Sequence, residues 1–477
     1  MGWHYAVASV NRAVMEYIST RGRAPTLDFK GATLAGLASD GGLYVPSRWP
    51  RFTLAQISAL RGKSYVETAV AVMLPFVEGS LSETELRLLC DQAYARFSHG
   101  AVTPLVQLDA QHWLLELFHG PTLAFKDIAL QLLGLLFEKF LAPDDPDLTI
   151  IGATSGDTGS AAIDAVAGRS KIDIFMLHPE GRISDVQRRQ MTTVLASNVH
   201  NIAIKGSFDD AQAIVKSLFN DPVFSKQRRL AAVNSINWAR LLAQVVYYFY
   251  AALRLGGPER RIAFAVPTGN FGDVFAGYVA AQMGLPIERL IVATNVNDIL
   301  HRALTNGDYS QGPVTATPTP SMDIQVSSNF ERLLFDLCGR DGIGLAGLMH
   351  GFEASKAMAI PPAMLTQSRR LFSSARIEGD AMAGAMRLAY ERAGQIIDPH
   401  SAIGLAAALA SDIAPDIPVV TLATAHPAKF GDAVERATGQ RPDLPQRISG
   451  LFERAERFDV LPASAEAIKA YITAKRA

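Results

Sequence analysis

Leu148-Thr149-Ile150-Ile151-Gly152-Ala153 runs directly into Thr154-Ser155-Gly156-Asp157-Thr158-Gly159. The first half is a short run rich in Ile and Leu. The second is a turn of hydroxyls and glycines that opens a helical pattern from about Asp157 to Gly168. A strand that is apolar on both faces, followed at once by a helix, is the unit from which parallel sheets are built. The same unit recurs further along. Ile172 to Leu177 precedes a helix from about Ser184, and Val199 to Ile204 precedes a helix from about Asp209 to Phe219. Leu230 to Val233 leads into a long helix from about Asn237 to Leu255. Ile262 to Val266 is followed by a helix after Phe271, and Leu290 to Thr294 is another strand. Strands alternating with helices of this length predict an α/β fold with parallel sheets.

Towards the N-terminus the pattern changes. Residues up to about 100 read as an α-rich opening domain. Helices are expected over Tyr5 to Ser19 and Ser82 to Phe97, with a turn and short extended segment at Gly41 to Pro46. Towards the C-terminus, Gly307 to Ser328 is rich in Pro, Thr, Ser and Gly and reads as a loop. Helical stretches follow over Asn329 to Leu337, Gly379 to Ala393 and His400 to Ala410. The strand Ile417 to Leu422 then runs into Thr424-Ala425-His426-Pro427, and a last helix starts near Ala463.

The chain has 477 residues, 49% hydrophobic and 19% charged, which suits a globular protein of roughly three domains. The formal net charge of -1 provides no basic field for nucleic acid or an anionic membrane, so small molecules are the expected partners. Cys90 and Cys338 are too few and too far apart for a disulfide framework or a zinc-ligand spacing, and no metal is expected. The N-terminal residues lack the charged and apolar regions of a signal peptide, and no apolar stretch approaches 18 residues. The expectation is a cytoplasmic protein.

Five segments carry groups suited to chemistry. In Phe118-His119-Gly120-Pro121-Thr122-Leu123-Ala124-Phe125-Lys126-Asp127, a lysine sits among apolar residues where a helix begins. Desolvation disfavours its ammonium and makes it a candidate nucleophile or Schiff-base lysine; alternatively it pairs with Asp127 or snorkels. The turn Gly152 to Gly159 combines three hydroxyls with helix N-terminal amides, a cradle for a carboxylate or phosphate. Asp157 could equally be only an N-cap. Val266-Pro267-Thr268-Gly269-Asn270-Phe271-Gly272-Asp273 is a second strand-loop-helix whose glycines let N–H groups close on an anion; an ordinary glycine turn is the other reading. In Val233 to Arg240, Ser235 ends a strand. Arg240 offers a planar fork suited to phosphate, or is a surface helix arginine. In Thr421 to Phe430, Thr424 could bond a heteroaromatic nitrogen or be satisfied by backbone, and His426 reads more readily as structural than catalytic. Two further matches carry nothing. Gly342 to Gly347 fits a G-x-G-x-x-G pattern without a preceding strand, and Gly62-Lys63-Ser64 lacks the leading glycine of a phosphate-binding loop.

Taken in order along the chain, these five segments resemble the threonine synthase family, in the branch found in many bacteria and fungi. Gly41 to Pro46, Ala293 to Asp298, Ser328 to Phe330 and Asp398 to Ala402 extend the resemblance over nearly the whole chain; Gly307 to Ser328 and Leu348 to Arg370 match less clearly. The resemblance implies an N-terminal domain over residues 1–100 and a catalytic region over 101–477. That region would have two doubly wound α/β subdomains of the tryptophan-synthase-β-like fold, with pyridoxal 5'-phosphate in the cleft between them. It implies conversion of O-phospho-L-homoserine and water to L-threonine and phosphate, the last step of threonine biosynthesis, by a carbon–oxygen lyase acting on phosphates. It also implies roles. Lys126 would carry the cofactor as a Schiff base and move protons. Gly269, Asn270, Phe271, Gly272 and Asp273 would bind the cofactor phosphate, Thr424 the pyridine nitrogen, and Asp157 would lie near the 3-hydroxyl. Thr154, Ser155 and Thr158 would hold the substrate carboxylate, and Ser235 and Arg240 the substrate phosphate. The chain would act as a monomer or homodimer.

Overall fold

The computed structural model describes residues 14–231 and 233–475. Two sheets organise the chain beyond its opening unit. The larger has six strands in the order Phe372–Arg376, Ile287–Thr294, Ile262–Pro267, Val419–Ala423, His112–Glu116 and Leu105–Gln107. All neighbours are parallel except the last pair, where the edge strand returns antiparallel as a hairpin. The smaller sheet is wholly parallel, in the order Asp459–Pro462, Val199–Lys205, Ile172–Pro179, Leu148–Ala153 and Leu230–Ala231. The α/β expectation is met: every apolar run read as a strand contains at least part of one, the run from Leu230 only at Leu230–Ala231, and helices separate them.

The helix Trp238–Arg254 is the spine. Of its residues only Arg254 is not buried, and it packs against the helices Tyr65–Val77, Lys126–Phe140 and Gly272–Gln282. Apart from Arg240 and Gln244, its residues up to Leu253 are apolar or aromatic, which places it in the interior. The opening unit is mainly helical, over Phe29–Ala35, Leu54–Ser58, Tyr65–Val77 and Glu83–Tyr94. The last two start from reciprocal capping boxes, Ser64 with Glu67 and Ser82 with Glu85.

Two expectations need correction. The helix read over Tyr5 to Ser19 lies outside the described residues up to residue 13, and its end is not helical. Tyr17–Ser19 is a strand antiparallel to Tyr44–Pro46. Tyr17 and Ser19 point inward on alternate positions, and the Tyr17 hydroxyl donates to the Phe76 carbonyl at 2.8 Å; this tertiary anchor outweighs the helical spacing. The loop Gly307 to Ser328 begins with a strand, Asp308–Ser310, antiparallel to Ala357–Ala359, and contains a 3-10 turn at Pro320–Met322.

Candidate active site

Four loops leave the C-terminal ends of parallel strands, the end at which open α/β sheets bind ligands. Residues 117–125 follow His112–Glu116, residues 268–271 follow Ile262–Pro267, Thr424 follows Val419–Ala423, and residues 154–156 follow Leu148–Ala153. The first and third of these are stitched together. Phe125 N–H donates to the Thr424 carbonyl at 2.9 Å, His426 N–H donates to the Leu123 carbonyl at 3.0 Å, and Ala124 and Ala425 form an isolated bridge. Lys126, the first residue of the helix Lys126–Phe140, is thereby set beside Thr424.

Lys126 is buried, and its Nζ lies 3.2 Å from Asp157 Oδ2 and 4.8 Å above the Phe125 ring. Asp127 is not its partner. That carboxylate turns back to accept the Thr122 N–H at 2.8 Å and the Thr122 hydroxyl at 2.6 Å. Burial lowers the pKa of Lys126; Asp157 opposes this, while Lys429 and Arg240 reinforce it. Asp157 is not the N-cap, which is Gly156, but the first residue of the helix. Burial alone would raise its pKa, but Lys429 and Lys126 hold the carboxyl well below the usual carboxylate range.

The turn at 154–158 is tightly built. Thr154 Oγ1 accepts the N–H groups of Gly156 and Gly159, each at 2.9 Å, while Ser155 and Thr158 stay half-buried. The helix Asp157–Val166 has no side-chain cap. Neither has the helix Gly272–Gln282, which begins after Phe271 in the left-handed region (φ 61°). Uncapped N-termini leave amide donors for an anion. Around the second, Ser327 Oγ donates to the Gly269 carbonyl at 2.8 Å, Asn329 Nδ2 to the Asn270 carbonyl at 3.1 Å, and Ser328 Oγ to Asn270 Oδ1 at 3.2 Å. Ser235 Oγ lies 3.4 Å from Ser328 Oγ, so the serine read from the segment 233–240 reaches the glycine loop. Asp273 directs its carboxyl to the hydroxyls of Tyr247 and Tyr248. Burial raises its pKa to about 7 against those hydrogen bonds. Its side chain is thus tied to the core, and its backbone lies in the first turn of the helix.

Arg240 is buried at 3% exposure, so the surface reading is excluded. Its guanidinium donates to the Val233 carbonyl, its Nε has no partner, and burial lowers its pKa to about 10. A buried cation without a carboxylate partner fits an anionic ligand. Thr424 N–H donates to Ser401 Oγ at 3.0 Å, and Ser401 in turn bonds Asp398.

Two residues of the cluster, Lys429 and Gln187, had no role in the sequence reading. Lys429 is fully buried; its Nζ lies 2.7 Å from Asp157 Oδ1 and donates to the Thr122 carbonyl at 2.9 Å. Gln187 completes the set, donating to Asp157 Oδ1 at 2.9 Å. A signal for Lys429 existed: Ala428-Lys429-Phe430 is a lysine between apolar neighbours, as in Ala124-Phe125-Lys126.

A buried lysine, two uncapped helix N-termini, an unpaired arginine and a hydroxyl at a strand end fit pyridoxal phosphate. Together with the two parallel sheets they define a pyridoxal-phosphate-dependent enzyme of the parallel α/β class. Three family models match the chain: threonine synthase N terminus over residues 16–94, pyridoxal-phosphate dependent enzyme over 97–360, and threonine synthase, C-terminal, over 401–472. The threonine synthase of Pseudomonas aeruginosa is 53% identical over 460 residues, 96% of this chain and 98% of that one. The crystal structure of pyridoxal-phosphate-bound threonine synthase from Brucella melitensis superimposes with a TM-score of 0.94 at 53% identity, covering 97% of this chain and 99% of that one. The yeast threonine synthase structure gives a TM-score of 0.91 at 38% identity, covering 97% and 98%. The chain belongs to the threonine synthase family.

Proposed function

We propose that the protein converts O-phospho-L-homoserine and water into L-threonine and phosphate, with Lys126 as its catalytic lysine. The observation that carries the reading is Lys126 itself, buried at the strand ends with Asp157 at 3.2 Å and Arg240 unpaired within the same charge cluster. The bound cofactor supplies an electron-withdrawing ring that stabilises negative charge as protons leave the substrate carbon chain.

The chain's own residues do the rest. Lys126 Nζ would hold the cofactor and would move protons among the substrate's Cα, Cβ and Cγ. Phosphate leaves from Cγ and water adds at Cβ. Asp157, kept ionised by its lysines, would lie near the 3-hydroxyl. Thr424 would hydrogen-bond the pyridine nitrogen; a neutral hydroxyl there leaves the ring less electrophilic than a carboxylate would. The amides of Gly269, Asn270, Phe271, Gly272 and Asp273 would bind the cofactor phosphate. Thr154, Ser155 and Thr158 would hold the substrate carboxylate, with the Thr154 hydroxyl also shaping the turn. Ser235 and Arg240 would hold the substrate phosphate. This reading keeps residues 1–100 as an opening domain and 101–477 as the catalytic region. It also makes the protein a cytoplasmic monomer or homodimer that takes small molecules and not nucleic acid. Among the described residues, no helix is long and apolar enough to cross a membrane.

The test is to incubate the protein with O-phospho-L-homoserine and identify the products. L-threonine and phosphate in equal amounts are expected. A keto acid with ammonia would overturn the reading in favour of a phospho-lyase, and no phosphate release would overturn it altogether. Lys126→Ala should abolish both turnover and the cofactor's covalent attachment, read as loss of visible absorption.

A further inference from the structure

Lys126 and Lys429 share one carboxylate in a dry site. Lys429 has the better of it: its Nζ is 2.7 Å from Asp157 Oδ1 and 2.9 Å from the Thr122 carbonyl, so two of its three donors are satisfied. Lys126 has one contact, at 3.2 Å to Oδ2. No other carboxylate among the described residues hydrogen-bonds its Nζ. Asp127 is bonded to Thr122, Asp273 faces Tyr247 and Tyr248, and the remaining charge near Lys126, Arg240, is a cation. Two ammoniums share the Asp157 carboxylate and Arg240 adds further positive charge, which favours release of one proton from Lys126.

We propose that Lys429 is a positioning residue for Lys126: its buried charge occupies Asp157 and leaves Lys126 as the neutral amine of the cluster, the form that can attack the cofactor's aldehyde. In that attack the amine nitrogen bonds to the aldehyde carbon, and the aldehyde oxygen leaves as water with both amine hydrogens. Lys429 has two close acceptors, one of them charged, whereas Lys126 sits over the Phe125 ring with a single longer contact. The fall in the Lys126 pKa from burial, Lys429 and Arg240 agrees with this division.

The proposal rests on Lys126 being the cofactor lysine, and the experiment separates the two. The full-length chain is stripped of cofactor with hydroxylamine and recombined with pyridoxal phosphate, and the rate of Schiff-base absorption is followed against pH. The rate should rise with pH as Lys126 loses its proton. Lys429→Gln, which keeps a donor but no charge, should move that profile upward by about one unit, making capture roughly tenfold slower at neutral pH. Lys429→Arg should stay near the wild-type profile, and Asp157→Asn should move it downward. A Lys429→Gln profile that coincides with wild type, or a Lys429→Arg profile displaced as far as that of Lys429→Gln, overturns the proposal. An Asp157→Asn profile displaced upward overturns it independently, should the lysine variants not fold. A Lys126→Ala chain that still gains the absorption would instead sink the assignment of the cofactor lysine.

Discussion

Single residues at the site are defined by what their neighbours leave unsatisfied. Arg240 is buried with no carboxylate partner and an unpaired Nε, so its strongest interaction is reserved for a ligand anion. A charge-assisted hydrogen bond contributes about 1.5–3 kcal/mol. Arg240→Ala should therefore lower kcat/KM for O-phospho-L-homoserine by roughly one to two orders of magnitude; unchanged kinetics would remove the phosphate assignment. Asp273 permits a second test. Its folded pKa is about 7, well above the ~3.9 of a free aspartate. The folded chain thus keeps a proton that the unfolded chain has released. The stabilisation is full below the unfolded value and is lost as pH rises through about 7. In the cofactor-stripped chain, Asp273→Asn should flatten the fall in melting temperature between about pH 4 and pH 7, the window set by that linkage. An equal slope in both chains would exclude Asp273 as its source. Part of this scale was readable in sequence. The apolar neighbours of Lys126 made it a candidate and the order of the five segments singled it out, whereas the burial of Arg240 was not readable, because an arginine one turn into a helix suits a surface equally well. The pairing of Lys126 with Asp157 rather than Asp127 was not readable, because it depends on the turn at Gly120 that brings Asp127 back to Thr122.

At the scale of elements, the site depends on loops that approach other backbone closely. Gly269 shows why the loop is glycine-rich: a Cβ there would lie 2.8 Å from the Ser321 carbonyl oxygen and 3.3 Å from Met322 Cα. Backbone cannot swing aside as a long side chain can, so Gly269→Ala must displace the loop and its N–H groups. The expected result is at least about a tenfold loss of pyridoxal phosphate affinity, since a misplaced donor to a charged group forfeits ~1.5 kcal/mol or more. Far-ultraviolet circular dichroism should be unchanged. Wild-type affinity in a cofactor titration would show that the loop does not bind the phosphate. The strand-loop-helix units around 148–168 and 262–282 were legible because each has a run of apolar residues, a glycine turn and a long helix. The pairs Tyr17–Ser19 with Tyr44–Pro46 and Asp308–Ser310 with Ala357–Ala359 were not. Three residues carry too little alternation to signal a strand, and their partners are distant in sequence.

Across the whole molecule, the chain leaves the larger sheet to build the smaller one, returns, and comes back to the smaller sheet at its end. Asp459–Pro462 adds an edge strand parallel to Val199–Lys205, and the helix Ala465–Lys475 seats Ile468 and Ile472, both fully buried, with Phe175, Ile202 and Leu218. The final helix was legible from its composition; the strand before it was not, because its residues are mostly exposed and only the edge of Val199–Lys205 makes it one. The same sheet holds the strand Leu148–Ala153, which places Asp157 opposite Lys126. Removing residues 459–477 would uncover a sheet edge and a core face that two isoleucines fill, a loss of several kcal/mol if each behaves as a large-to-small core change. The shortened chain should melt at lower temperature and take up pyridoxal phosphate more weakly, although Lys126 and the glycine loop belong to the other sheet. Excess cofactor should recover part of the melting temperature, because a ligand bound only by the folded form stabilises it in proportion to the logarithm of its concentration. If instead the shortened chain binds cofactor with wild-type affinity while melting early, then the smaller sheet's contribution through Asp157 is insensitive to the packing of its C-terminal edge.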